Sequence, residues 1–147
     1  MSQKEVKNIF IEGGIEPALI AKSIAKHNSK HNIGAHSIFL GQVRADEIDG
    51  KKVTAINYSA YEELALNQMD QIRQEIFNKH PLTCLHVYHS LGNVATGEIC
   101  LFVFTSSIRR KPAIAACAAI VERIKLELPI WGKEIFENET HQWKENS

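Results

Sequence analysis

TCLHVYHSLGNVATGEICLFVFTSSIRRKPAIAACAAIVERIKLE, residues Thr83 to Glu127, is the stretch on which the fold turns. It holds two apolar runs, Thr83–Ser90 and Glu98–Ser106, separated by a loop from Gly92-Asn93 to Gly97. Runs of this length, rich in β-branched and aromatic residues and interrupted by glycine, read as an antiparallel strand pair. Then the pattern changes. Lys111-Pro112 opens a helix that runs to about Glu127, proline being well suited to a first helical turn. Its Ala115, Ala116, Ala118 and Ala119 are small enough for a backbone to lie close against a sheet, and Pro129 closes it. A hairpin followed directly by such a helix points to helices laid on an antiparallel sheet.

Working outward, Ile130–Phe136 reads as one more strand, followed by a polar end. Upstream, Glu62 to about Lys79 is the clearest helix: Ala65, Met69, Ile72 and Ile76 recur at helical spacing and Pro81 follows. Before it, Ala35–Val43 and Val53–Tyr61 read as strands, joined by a polar loop, Arg44–Lys52, whose Asp49-Gly50 pair marks a turn. Val6–Ile11 is a short strand broken by Gly13-Gly14, and Pro17 starts a helix reaching about His27. The order is strand, helix, two strands, helix, two strands, helix, strand. That is an α+β fold, a mostly antiparallel sheet with packed helices, expected as a single domain over residues 1–147.

Composition narrows the function. The chain has 44% hydrophobic and 23% charged residues and a formal net charge of zero, so no global field recruits nucleic acid or membrane. Phe39, Phe102 and Phe104 sit among aliphatics rather than among basic residues, which reads as core and not as an RNA-stacking sheet face. No stretch approaches the roughly 18 apolar residues of a membrane span. The three cysteines, Cys84, Cys100 and Cys117, lie far apart with no CxxC, so neither a disulfide framework nor a zinc ribbon is indicated. With no signal-peptide core in MSQKEVKNIF, a cytoplasmic location is expected.

Conventional catalytic groupings are weak. His27 and His31 have i, i+4 spacing but no evident third ligand, so no metal site is expected there. His86 and His89, three apart on a strand, point to opposite faces. Ser106 and Ser107 lack a nucleophile-elbow setting, and no glycine-rich phosphate loop occurs. What remains is cationic. From Arg109 to Lys133 there are six basic residues (Arg109, Arg110, Lys111, Arg123, Lys125, Lys133) and two acidic ones (Glu122, Glu127). Arg44 ends a strand, and Arg109 and Arg110 precede a helix whose first amides favour anions. Guanidinium groups grip phosphate in bidentate fashion, and lysine adds a mobile charge or a proton. A small anionic ligand fits this pattern; a solvated helix face is the plainer reading that composition alone leaves open.

The same residues carry a family resemblance. Phe39-Leu40-Gly41-Gln42-Val43-Arg44 resembles the F-x-G-x-V-R strand end of the MoaE family, the large subunits of molybdopterin synthase. Tyr58-Ser59-Ala60-Tyr61-Glu62-Glu63-Leu64-Ala65 is similar to its Y-E-A-Y-E-E-M-A segment. His89-Ser90-Leu91-Gly92 with Gly97-Glu98 resembles its H-R-x-G…G-[DE] hairpin, and Ile124 to Glu134 resembles its [LI]-K-x-x-x-P-[IF]-W-K-K-E motif. The likeness runs in order from about Gly34 to Trp143.

The resemblance implies an α/β-hammerhead fold and a homodimer, with a ubiquitin-like MoaD-type sulfur carrier docked at each end of a heterotetramer. The carrier's carboxyl-terminal thiocarboxylate would deliver sulfur to a cyclic pyranopterin monophosphate, building the dithiolene of molybdopterin, with no metal or redox cofactor in this step. Carried over by motif, Lys125 is the catalytic lysine. Arg44 and Arg109 hold the substrate anion, Gln42 and Val43 flank Arg44, and Gly132, Lys133 and Glu134 form the second pocket segment. The chain departs from the pattern at Ile108, where the family often has histidine, and at Gly132, where it often has lysine. Arg110 follows the Ile108-Arg109 pair, and Lys133 follows Gly132. The departures support one other reading, a non-catalytic scaffold that binds the same ubiquitin-like partner.

Overall fold

The computed structural model describes residues 6–138 and 140–144. Eight strands and three helices follow in the order β1 (Phe10–Glu12), α1 (Pro17–Lys26), β2 (Ala35–Gln42), β3 (Glu47–Ile48), β4 (Lys51–Ala60), α2 (Glu62–Lys79), β5 (Cys84–Ala95), β6 (Ile99–Ser107), α3 (Arg110–Glu127), β7 (Ile130–Phe136) and β8 (His141–Trp143). The sheet runs β2-β6-β5-β4-β7-β8, with β1 on β5 and β3 on β4. Every pairing between these strands is antiparallel except β1 with β5. The α+β reading of the sequence is therefore the architecture found.

Alternation along β6 divides the core. Leu101 and Val103 point to one face, where Met69, Ile72 and Ile76 of α2 and Ala116, Ile120 and Ile124 of α3 cover them. Phe102 and Phe104 point to the other, where they pack with Ile15 and with Leu19 and Ile20 of α1. The buried face of α3 is Ala113, Ala116, Cys117, Ile120 and Ile124, whereas Ala115 and Ala118 lie exposed. α2 and β7 have the boundaries that the hydrophobic pattern predicts.

Four local expectations change. The first strand is shorter and later than Val6–Ile11, because only Phe10–Glu12 finds a partner in β5. The polar loop after Val43 contains β3, folded back on β4 through Asp49 (φ 51°) and Gly50 (φ 77°). Two consecutive positive φ values make the tight turn whose twist matches a hairpin. The polar end contributes β8, paired with β7. Finally, Gly92-Asn93 is not a loop. β5 continues to Ala95, and the chain reverses at Thr96-Gly97, where Gly97 has φ 89° and the Glu98 amide donates to the Ala95 carbonyl at 3.0 Å. Gly92 (φ 78°) instead bends β5 so that Cys84–His89 pairs with β6 while Gly92–Ala95 pairs with β4. A Cβ there would collide with the Glu12 carboxylate.

Candidate functional site

Two adjoining cavities lie where the end of α3 meets β4 and β7. The inner one, about 60 Å³, is lined by Tyr58, His89, Ile124, Lys125, Trp131 and Gly132, among others. The outer one is a groove of about 430 Å³ bounded by Gln42, Arg44, Ile56, Glu122, Lys125 and Glu134. Tyr58, Lys125 and Lys144 line both. Lys125 thus stands at the junction, in the last turn of α3, where the helix carbonyl end favours a cation. Alternation along β7 turns Gly132 and Glu134 toward this cleft and Lys133 away from it.

The cleft walls keep fixed protonation states. His89 is buried, and its Nδ1 donates to the Ser90 carbonyl at 2.8 Å, so Nε2 carries the lone pair. Burial pushes the imidazole down to about 4; the Ser90 hydrogen bond opposes this, and the Lys125 charge adds to it. Its ring meets that of Tyr58 edge-on at 5.2 Å. The Tyr58 phenol is driven well above its ordinary range by burial first, then by Cys100 and Glu134. At neutral pH the inner cavity therefore presents a neutral imidazole and a neutral phenol beside the lysines, groups that accept and donate hydrogen bonds without adding charge.

The residues singled out from sequence fall into three groups. Lys125, Gln42, Arg44, Gly132 and Glu134 come together in the cleft. Arg44 is exposed and leans on Asp46 at 3.3 Å, so its guanidinium can turn to a ligand at little cost. Val43 and Lys133 flank the cleft. The Val43 side chain is buried in the core, while its amide and carbonyl bond Glu98 and Gly97 at 3.0 and 2.9 Å and so anchor the Arg44 segment. The Lys133 ammonium lies 5.9 Å from the centroid of the Trp143 ring. Arg109 is elsewhere. It caps the start of α3, in a separate depression with Gly34, Ile108, Arg110 and Lys111. Sixteen helical residues at about 1.5 Å each put it roughly 24 Å from Lys125 along the axis.

Sequence reading gave no role to three cleft residues. Tyr58 and His89 lie inside recognised motifs but outside any catalytic pattern. Lys144 sits in the polar end with no signal of its own. It reaches the cleft because its amide donates to the Gly132 carbonyl at 2.8 Å, which sets an ammonium beside the glycine.

Fold and site together define a class: an α+β protein with a polar cleft at the end of α3, where Arg44, Lys125 and Lys144 stand among Asp46, Glu122 and Glu134. Comparison with known proteins narrows it. The profile of the family described as "MoaE protein" matches residues 15–127, and the chain belongs to that family. It is 39% identical over 127 residues to a molybdopterin synthase catalytic subunit of Drosophila grimshawi, covering 81% of this chain but only 35% of that protein. The chain thus spans about a third of the length of its fly relatives. A catalytic subunit of the same name from Pyrococcus abyssi is 37% identical over 107 residues, covering 73% of this chain and 72% of that one. Among solved structures, molybdopterin synthase from Staphylococcus aureus superimposes with a TM-score of 0.81 at 30% identity, over 96% of this chain and 99% of that one. A complex of subunits 1 and 2 of molybdopterin-converting factor from Helicobacter pylori shares the fold, with a TM-score of 0.78 at 22% identity over 92% of this chain and 88% of that one.

Proposed function

We propose that the chain is a catalytic subunit of molybdopterin synthase, a sulfurtransferase that converts a cyclic pyranopterin monophosphate to molybdopterin. The observation that carries the reading is the placing of Lys125 at the junction of a narrow inner cavity and a wide groove where Arg44 and Lys144 also stand, among the carboxylates Asp46, Glu122 and Glu134. The groove takes the phosphate-bearing pterin, with Arg44 and Lys144 on its anion. The inner cavity takes the slender Gly-Gly end of a MoaD-type partner, which a bulkier tail could not follow. Sulfur is transferred between them at Lys125. Opening the cyclic phosphate develops negative charge on oxygen, which a positioned ammonium stabilises. The same lysine relays a proton, with the neutral His89 beside it as acceptor. Two such transfers complete the dithiolene. Three free, buried cysteines fit the reducing cytoplasm in which we place the reaction.

The active unit is a homodimer within a heterotetramer. Arg109 reaches a Lys125 cleft only from a second copy, given the length of α3. β2 is an outer strand of the sheet, and it exposes Ile38, Phe39 and Leu40 beside the exposed Ile114 of α3, an apolar edge suited to such a copy. The direct test mixes the purified chain with thiocarboxylated partner and cyclic pyranopterin phosphate. Molybdopterin should form, and with a partner extended by one bulky residue after its last glycine none should. A folded chain that docks the partner without turnover would instead establish the scaffold reading that Ile108 and Gly132 allow.

A further inference from the structure

On the face of β5 opposite His89, a second grouping lies outside the cleft. Cys84 and His86, two residues apart, project from the same face of the strand. His27, the residue that ends α1, meets them there, with its Nε2 3.2 Å from His86 Nε2. The ligand atoms of the three all lie within 4.8 Å of one another. His27 and Cys84 are buried. The Ser23 carbonyl can only accept, so His27 Nδ1 at 2.7 Å carries the hydrogen and Nε2 offers its lone pair to the trio. This is how metal-bound imidazoles are held. Two nitrogens at ~2.0–2.1 Å from one three-coordinate ion, at about 120°, lie roughly 3.5 Å apart, so the 3.2 Å found needs only a small spreading of the rings.

The surrounding charge selects the ion. Lys7 Nζ lies 3.1 Å from His86 Nδ1, and Lys30 Nζ lies 3.0 Å from Cys84 Sγ. The charge of Arg73 is also felt at His86. A divalent ion with one thiolate leaves a net positive charge among these cations. A monovalent ion with one thiolate is neutral, and a thiolate with two imidazoles suits a soft metal. We propose that His27, Cys84 and His86 form a copper(I) site. Binding replaces the thiol proton by the ion, so one proton is released and no electron moves. Lys30 keeps its hydrogen bond to the sulfur. Lys7, whose side chain is exposed, returns to water as His86 Nδ1 takes up a hydrogen and Nε2 turns to the metal. Without the ion, a chain of hydrogen bonds from Lys7 through His86 and His27 to the Ser23 carbonyl holds the same side chains in place.

The test is an anaerobic titration of the whole chain with copper(I) against bicinchoninate, with X-ray absorption on the product. One equivalent should bind, with one sulfur and two nitrogens around it. Cys84→Ser and His86→Gln should each weaken binding by at least about tenfold. A Cys100→Ser/Cys117→Ser double variant should bind as before, and Lys7→Ala should bind more tightly, having lost a competing cation. Circular dichroism establishes that each variant is folded. If Cys84→Ser fails to fold, His86→Gln and the absorption spectrum of the unaltered chain decide. No uptake against the chelator, sulfur-only coordination, or tighter binding of zinc(II) than of copper(I) would overturn the assignment.

Discussion

Replacing His89 by glutamine should remove about 2 kcal/mol of acid sensitivity from the fold. An unfolded histidine titrates near 6.5, whereas folded His89 is pushed to about 4 by burial and by Lys125. Between those values the unfolded chain takes up a proton that the folded one refuses, so lowering the pH favours unfolding. The stabilisation is present in full above pH 6.5 and is lost as pH falls toward 4. Between pH 7 and pH 5 the linkage amounts to about 2 kcal/mol for one such group. His86 is also pushed to about 4, but its ring is half-exposed and its contribution is smaller for that reason. Glutamine retains a polar end and does not titrate, so the variant isolates His89. Urea unfolding at fixed protein concentration, at pH 7 and pH 5, measures the difference. Staying at or above pH 5 keeps most carboxylates ionised and out of the comparison. Equal pH dependence in the variant and the parent chain would refute the buried neutral imidazole, and with it the acceptor assigned beside Lys125.

Lys125→Ala should keep the fold and lower product formation by roughly two decades or more, the scale of a positioned acid–base group, whereas Lys133→Ala should be mild because its side chain faces away from the cleft. Lys144→Ala should raise the dissociation constant of the pyranopterin phosphate by roughly ten- to hundredfold in an equilibrium binding assay, as expected for loss of one charged hydrogen bond. Mixing Lys125→Ala chains with Arg109→Ala chains, each nearly inactive alone, should restore about a quarter of the parent rate, since half of the random dimers then carry one intact site of two. Gly132→Ala should lower stability by about 1–3 kcal/mol in thermal unfolding, because the new Cβ would lie 2.9 Å from Ile56 Cγ2 and 3.2 Å from Tyr58 Cε1.

Legibility in the sequence followed the range of the interaction. α2 is readable because Ala65, Met69, Ile72 and Ile76 repeat its period and all four are buried. β7 is readable because Pro129 and a polar end bracket an apolar run. The switch of β5 from β6 to β4 is not readable, since a glycine that bends a strand and one that ends it look alike in one dimension. Much of the cleft came through motif resemblance, which marks Lys125 and Arg44 without placing them. Distance along a helix separates Arg109 from Lys125, although both lie in one basic stretch. Lys144 entered through a single backbone hydrogen bond from a segment whose composition is merely polar. His27 meets Cys84 and His86 on a strand more than fifty residues away, a grouping that its spacing to His31 could not reveal.

The double allegiance of β5 ties two regions of the described residues to one strand. Its first half belongs to the helix-covered core and its second half to the strands that wall the cleft. A local opening of the cleft strands should therefore loosen register in the core, and a ligand seated beside Lys125 should tighten residues that never touch it. Amide exchange should reveal this as protection spreading on ligand binding into β6 and β1, well beyond the contact surface. Loss of a core methyl group far from Lys125 should then be felt as weaker ligand binding wherever it raises the population of the opened form.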